Sequence, residues 1–410
     1  MKKLIGTVVV AALLASAAFA EGISFGQWGR GLWSIGNAKA ESGDKNEVTS
    51  WISQSWGGPS PRLGLAVKGN SENVGFAVDF HVNGTNEIEY ATDKKVRPIT
   101  LGDNAFIWVK PIEMLTISLA ASDDRNVLRS GACFGLYNFA RIGAVGATND
   151  DGFIFPGLLN KNVSVVATPI DGLTIGAGFD SQFGKPAAVK DGNRLVDQLG
   201  RTLGIAAAYT IGDIGTVKAG LSTHGKGANK DGEKKDLIKI YGAFELTSVE
   251  NVFVAVGATI PVGGTYSYDS TTGKVGNQAI KINAYGRLSM IENLTINLSA
   301  SLAINAADNK PGDVKKDGAF GFGFGGEVEY ALSNGITVFG DVRYANGILL
   351  DQTSADKKDT LTFGAGLWKG FSNGNFGVAF EATTNGVNAQ ADIYDNAMAW
   401  QVPVRWEYSF

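Results

Sequence analysis

Along most of the chain apolar and polar residues alternate with a period of two, the spacing that sends successive side chains to opposite faces of a β-strand. Leu294, Ile296, Leu298, Ala300, Leu302 and Ile304 are interleaved with Thr295, Asn297, Ser299 and Ser301. Val74, Phe76, Val78, Phe80 and Val82 stand in the same way against Asp79, His81 and Asn83, and Val252, Val254, Val256, Ala258 and Ile260 repeat the pattern. No long stretch supplies the 3.6-residue period of an amphipathic helix. The alternation predicts strands near 22–36, 59–69, 74–84, 100–110, 113–121, 160–168, 172–180, 199–211, 214–223, 236–247, 251–260, 279–290, 293–304, 319–332, 335–345, 359–370, 374–384 and 397–410. That makes about 18 strands, within a range of 16–20 set by boundary errors of a few residues. An even number returns the C-terminus to the side on which the chain starts.

A soluble sandwich would alternate too, so the connections have to decide the surroundings. Strands are joined alternately by short turns and long polar loops, the asymmetry of a membrane barrel. The short turns share a phrase: Pro111-Ile-Glu-Met-Leu-Thr-Ile, Pro169-Ile-Asp-Gly-Leu-Thr-Ile and Met290-Ile-Glu-Asn-Leu-Thr-Ile, with Leu332-Ser-Asn-Gly-Ile-Thr-Val as a looser echo. Each reads as a tight hairpin. The long connections, Gly225 to Asp236, Tyr266 to Gln278, Ala306 to Gly318 and Leu350 to Asp359, are charged or glycine-rich. Asp308, Asp313 and Asp317 cluster in one of them, but their spacing matches no EF-hand and lysines interrupt it. After residue 20 no apolar run approaches the roughly 20 residues of a membrane-spanning helix. A membrane-spanning chain of this kind closes its strands on themselves, because lipid offers backbone groups no partners. The expected fold is all-β, a closed antiparallel transmembrane β-barrel formed by residues 21–410.

The first 20 residues read differently. Lys2 and Lys3 precede an apolar run from Leu4 to Phe19, and Ala18 and Ala20 form a small-x-small cleavage site, which together make a signal peptide. The chain carries 36 basic and 40 acidic residues, and losing Lys2 and Lys3 makes the exported form more acidic still. No basic surface is left for nucleic acid. A single cysteine, Cys133, excludes a disulfide scaffold and reads as an inert structural thiol. With His81 and His224 the only histidines, a Ser-His-Asp arrangement or a His-rich metal site has little raw material. Gly321-Phe-Gly-Phe-Gly-Gly lacks the strand-then-helix setting of a phosphate loop and reads as small residues on a curved strand. No enzymatic activity and no cofactor are expected.

The last strand places Val402, Val404, Trp406, Tyr408 and Phe410 on one face, against Pro403, Arg405, Glu407 and Ser409 on the other. In lipid the apolar face is buried and its aromatics sit at the interface. Ending on Phe410, with Tyr408 and Trp406 at alternate positions before it, the chain resembles the bacterial outer-membrane porins. The repeated turn phrase is similar to that of spirochaetal porin-like proteins. The resemblance implies an outer-membrane location among outer-membrane lipid, recognition of this segment by the barrel-assembly machinery, and a homotrimer.

If the apolar faces meet lipid, the alternate positions line the lumen. There Arg62, Lys68, Lys239, Lys281, Arg287, Arg343 and Arg405 stand against Asp79, Glu245, Glu327, Glu329, Asp341, Glu381 and Glu407. Such an interior costs little only when water or partner charges fill it, and a wall of both signs predicts weak ion selectivity. Many of these charges are expected to pair across strands and stiffen the wall. The connection from residue 122 to 160 is the longest and the third of the outer loops, the loop that folds inward in general porins. Asp123, Asp124, Arg125, Arg129, Arg141, Asp150 and Asp151 make it the candidate constriction. Two further wall strands around Phe134 to Gly146 are the alternative. The expected function is passive diffusion of small hydrophilic solutes and ions. The alternatives are a surface adhesin or structural protein with an occluded barrel, for which Tyr266, Tyr268 and Tyr394 are the loop aromatics, and a substrate-selective channel. The last would need an interior aromatic track, drawn from Trp28, Trp33, Trp51, Trp56 and Trp108, although packing or a girdle accounts for most tryptophans in a barrel.

Overall fold

The structure is a computed structural model. It describes residues 22–39, 46–53, 61–83, 99–123, 125, 127–132, 153–181, 194–228, 234–262, 266–268, 275–277, 280–304, 320–346, 359–384 and 398–410. The signal segment with Ala18 and Ala20, Cys133, Asp124, Arg141, Asp150, Asp151, the Asp308 cluster, Trp56 and Tyr394 lie outside the described residues.

The chain begins with β1 (Ile23–Lys39), β2 (Asn46–Ser53), β3 (Arg62–Asn70), β4 (Val74–Asn83), β5 (Ile99–Ile112) and β6 (Leu115–Ser122). Two short strands, β7 (Ser130–Ala132) and β8 (Phe153–Phe155), pair only with each other. After them come β9 (Val163–Ile170), β10 (Leu173–Phe179) and the helix α1 (Leu195–Thr202). The next strands are β11 (Gly204–Ile211), β12 (Gly215–Ala228), β13 (Lys234–Leu246) and β14 (Val252–Val262), followed by a small hairpin of β15 (Tyr266–Tyr268) and β16 (Val275–Asn277). The wall is completed by β17 (Ile280–Ile291), β18 (Leu294–Ile304), β19 (Phe320–Ala331), β20 (Ile336–Ala345), β21 (Thr360–Phe371), β22 (Gly374–Thr383) and β23 (Ala399–Ser409).

Antiparallel pairing runs from neighbour to neighbour until β23 meets β1, from Trp28↔Ser409 to Gly36↔Gln401. The fold is therefore a closed barrel, which leaves no long edge to pair with another chain. Its 18 wall strands match the count expected from the alternation. β6 pairs directly with β9, from Leu115↔Ala167 to Leu119↔Val163, so the wall has no place for two more strands around Phe134 to Gly146.

The phase is also as expected. On β18, Asn297, Ser299 and Ser301 are buried while Leu298 and Ile304 are exposed on the outer face. Exposed Ile205, Val217, Ile240, Val256, Phe324, Val342, Phe363 and Trp406 continue this apolar exterior round the barrel. Water would penalise so large an apolar surface, and lipid does not. Among the described helices none is long and apolar enough to cross a membrane.

Short turns collect at one end and long connections at the other. Three of the shared turn phrases place Gly172, Asn293 and Gly335 at φ of 77°, 62° and 77°. Only glycine and asparagine adopt that left-handed region readily, which explains the residue choice.

Four boundaries differ from the sequence expectation. β1 continues to Lys39 because β2, which the alternation did not single out, pairs with Leu32 to Lys39, while β3 takes the lower half of the same edge. The strand expected from residue 199 begins instead as α1, whose Leu195, Val196, Leu199 and Leu203 recur at helical spacing over too few residues to stand out. The connection from Gly225 to Asp236 is largely strand among its described residues, since Lys226↔Asp236 through Ala228↔Lys234 extend the ladder past a bulge. The connection from Tyr266 to Gln278 carries the β15–β16 hairpin.

Candidate functional site

All the candidate wall charges, from Arg62 to Glu407, fall on the inward phase of their strands, opposite the exposed apolar positions. Many are already partnered. Arg343 Nε lies 2.7 Å from Asp341 Oδ2, with both side chains withdrawn from solvent. Arg405 pairs with Glu407 on the same strand face. Gln401 Nε2 donates to Glu381 Oε2 at 2.8 Å and Asn297 Nδ2 donates to Glu327 Oε1 at 3.1 Å. Thr362 Oγ1 donates to Thr383 Oγ1 at 2.9 Å alongside. Buried polar groups need such partners, because leaving one unmatched costs more than the bond contributes.

The third long connection enters the barrel. Its first turn is held to β5 and β6: Arg125 donates from Nε and Nη2 to the two oxygens of Asp123 at 2.8 and 2.6 Å, and from Nη1 to Ser118 Oγ at 3.1 Å. The guanidinium lies 4.1 Å from the Phe106 ring centroid. On the far wall Lys218 Nζ donates to Ser130 Oγ at 2.8 Å and lies 3.0 Å from Glu245 Oε1, which also receives the Ser130 hydroxyl. Asn283 Nδ2 donates to the Phe153 carbonyl at 2.9 Å, and the Arg129 guanidinium sits 4.1 Å from the Phe153 ring centroid.

Between these polar anchors the contact is apolar. Ile154, Phe155, Leu158 and Leu159 are buried against Ala206, Tyr241, Ala243 and Ala255 of the inner wall. Glycines complete the seat. A β-carbon at Gly257 would overlap the Ile154 carbonyl oxygen, and one at Gly204 the Leu158 carbonyl oxygen. At Gly176 it would lie 2.6 Å from Leu159 Cδ1. Small residues on the inward phase of β10–β14 thus make room for residues 154–159 to lie flat on the wall. These seat residues, and Lys218, were not among the sequence candidates. Their signal was nevertheless present, as inward positions occupied by glycine and alanine where a polar lumen needs neither.

Beside the first turn of the same connection a cavity of about 360 Å³ opens between β3, β4 and β5, lined by Lys68, Asn70, Asp79, Asn104, Trp108 and Arg125 among others. Asn104 Nδ2 donates to Asp79 Oδ2 at 3.0 Å. Trp108 lies over Gly75 of the neighbouring strand, where a β-carbon would come within 2.5 Å of the indole. Trp28 covers Gly64 in the same manner and meets His81 edge-on at 5.1 Å. Both tryptophans therefore pack on the inner wall, whereas Trp33 is exposed on the outer face. Arg30, beside Arg62 in the β1–β3 register, is a further inward cation that the sequence candidates omit. Ser222 Oγ contacts His224 Nε2 at 2.6 Å and Tyr241 OH at 3.0 Å. The described residues hold no cluster of metal-ligating side chains.

No protein-family model matches the sequence. No curated protein matches it. Solved structures do. OccAB3 of Acinetobacter baumannii superposes with a TM-score of 0.55 at 10% identity, over 95% of this chain and 99% of that one. OccK11 (OpdR) of Pseudomonas aeruginosa gives 0.52 at 8% identity, over 95% and 97%. OccK8 (OprE) of the same species gives 0.52 at 8%, over 95% and 98%. At these identities the likeness is one of fold.

Proposed function

We propose that this chain is an outer-membrane channel through which small polar solutes and ions diffuse passively, narrowed by its third outer connection. The observation that carries the reading is the seating of residues 153–159 on the inner wall, in a barrel whose exterior is apolar and whose interior is polar. A loop placed there reduces the lumen without changing the wall, so it sets the size limit while the 18 strands set the scaffold. The ion pairs Arg125–Asp123 and Lys218–Glu245 hold its two sides. Trp406, Tyr408 and Phe410 on the last strand form the signal offered to the barrel-assembly machinery, and the assembled form is a trimer. No turnover and no cofactor belong to this mechanism.

A second reading, a barrel with an occluded lumen serving as a surface or structural protein, is favoured by one feature. Glu327, Arg343, Glu381 and Gln401 on β19–β23 are each no more than 1% exposed. Single-channel recording from the refolded mature chain in a planar bilayer separates the two. Stable conductance steps support the channel. Folded, inserted protein that carries no current supports the occluded barrel.

A further inference from the structure

The cavity between β3, β4 and β5 has a chemistry more specific than a hydrated wall requires. Lys68 and Asp79 are diagonal neighbours on the inner face, in a register where Lys68 faces Ala77 and Asp79 faces Ala66. They nevertheless form no ion pair with each other, because the Asp79 carboxylate is held by Asn104. Arg125, the second cation of the lining, is neutralised by Asp123. The lining residues therefore balance to no net charge, with Lys68 a donor, Asp79 an acceptor and amides at Asn70 and Asn104, while Lys110 Nζ lies over the Trp108 ring, 5.6 Å from its centroid. Trp108 rests against the backbone at Gly75 and contributes an indole to the lining. Its volume of about 360 Å³ lies at the lower end of small-molecule sites, about 300–1,000 Å³.

We infer that this cavity is a binding subsite for a neutral pyranose sugar on its way through the lumen. The inference rests on the channel reading and names its solute class. A sugar hydroxyl both donates and accepts, so adjacent hydroxyls satisfy Asp79 and Lys68 together without leaving a charge unmatched. The C–H edge of the ring packs on the part of the indole that Gly75 and Lys110, whose Nζ lies 5.6 Å from the ring centroid, leave open. Occupancy is brief, as transit requires a site weak enough to release its solute.

The test uses the refolded mature chain in two assays. In the first, glucose is titrated into single-channel recordings alongside a polyethylene glycol of similar size and the zwitterion glycine. In the second, equilibrium dialysis of labelled glucose against the folded protein reads binding with no dependence on conduction. Saturable current interruptions by glucose alone, weakened roughly tenfold in Trp108→Ala, retained in Trp108→Phe and reduced in Asp79→Asn, are expected. Equal interruption by the polymer, or stronger interruption by glycine, overturns the sugar assignment and leaves the channel standing. A silent channel that still binds glucose through Trp108 sinks the diffusion reading and keeps the subsite. Absence of glucose binding in dialysis overturns the subsite whatever the current does.

Discussion

Gly204 and Gly257 leave room for carbonyl oxygens of the inward segment, at Leu158 and Ile154. Replacing either with alanine puts a methyl group where an oxygen sits, and the strand cannot yield because its neighbours in the ladder fix it. The segment moves instead. Gly257→Ala is expected to raise single-channel conductance and its noise, while the barrel keeps its heat-modifiable mobility in gels. Gly242, on the outward phase of β13 with nothing within 4 Å of its missing β-carbon, is the matching control, and Gly242→Ala should leave conductance unchanged. Equal effects at the two positions would refute the seat. Lys218 is a second residue-scale test. Its side chain is 9% exposed and that of Glu245 17%. Lys218→Met strands the Glu245 carboxylate, at a cost of about 3 kcal/mol, the lower end for a broken buried pair. Lys218→Met with Glu245→Gln removes the stranded charge and should recover most of the loss. Urea titration of the folded barrel, read by gel mobility, measures both. A double variant no more stable than the single one would mean that the pair does not hold the segment.

At the scale of elements, the last strand closes the barrel by placing aromatics on glycines. Tyr408 faces Gly29 and Trp406 faces Gly31 across the β1–β23 ladder, and a β-carbon at Gly31 would come within 3.1 Å of the indole. Bulk at Gly31 must push Trp406 off the outer face just where first and last strands have to meet. Gly31→Leu is therefore expected to lower the fraction of chain that reaches the heat-modifiable folded form in membranes, and Phe410 deletion to lower it further. Normal folded yield in both variants would argue against closure through this contact. Elements like this one were legible in the sequence because lipid enforces strict alternation, and a one-residue slip would turn a whole face the wrong way. The tight turns were legible because left-handed backbone restricts the choice to glycine or asparagine. α1 was not, since eight residues hold barely two helical turns. Nor was the seat of residues 153–159: alternation reports which face a residue takes, but not which distant segment fills the space that small inward residues leave. Of the charged candidates of the third connection, Asp123, Arg125 and Arg129 are engaged in its anchoring, but the apolar contact of Ile154, Phe155, Leu158 and Leu159 with the wall carries no charge pattern to read.

Across the whole molecule, the charges that matter for ion flow are those left without a close partner. A paired charge presents a dipole whose field fades quickly, and salt screens what remains within about 10 Å at 0.1 M. Lys218–Glu245, Arg343–Asp341, Arg405–Glu407 and Arg125–Asp123 are each compensated at close range. What is left on the described inner wall mixes both signs, with Lys68 and Arg287 exposed and Asp79 held by a neutral amide. Under a tenfold potassium chloride gradient the reversal potential should fall well below the ~59 mV that a tenfold ratio gives for one elementary charge. It should shrink further as both solutions are concentrated. Lys68→Glu adds an acid and removes a base at the cavity between β3, β4 and β5, so it should move the reversal potential toward cation preference without altering folded yield. A wild-type potential close to the full gradient value would show that a ring of one sign governs the lumen. In that case uncompensated charge of one sign, and not the mixed wall around Lys68, Asp79 and Arg287, would face the ions.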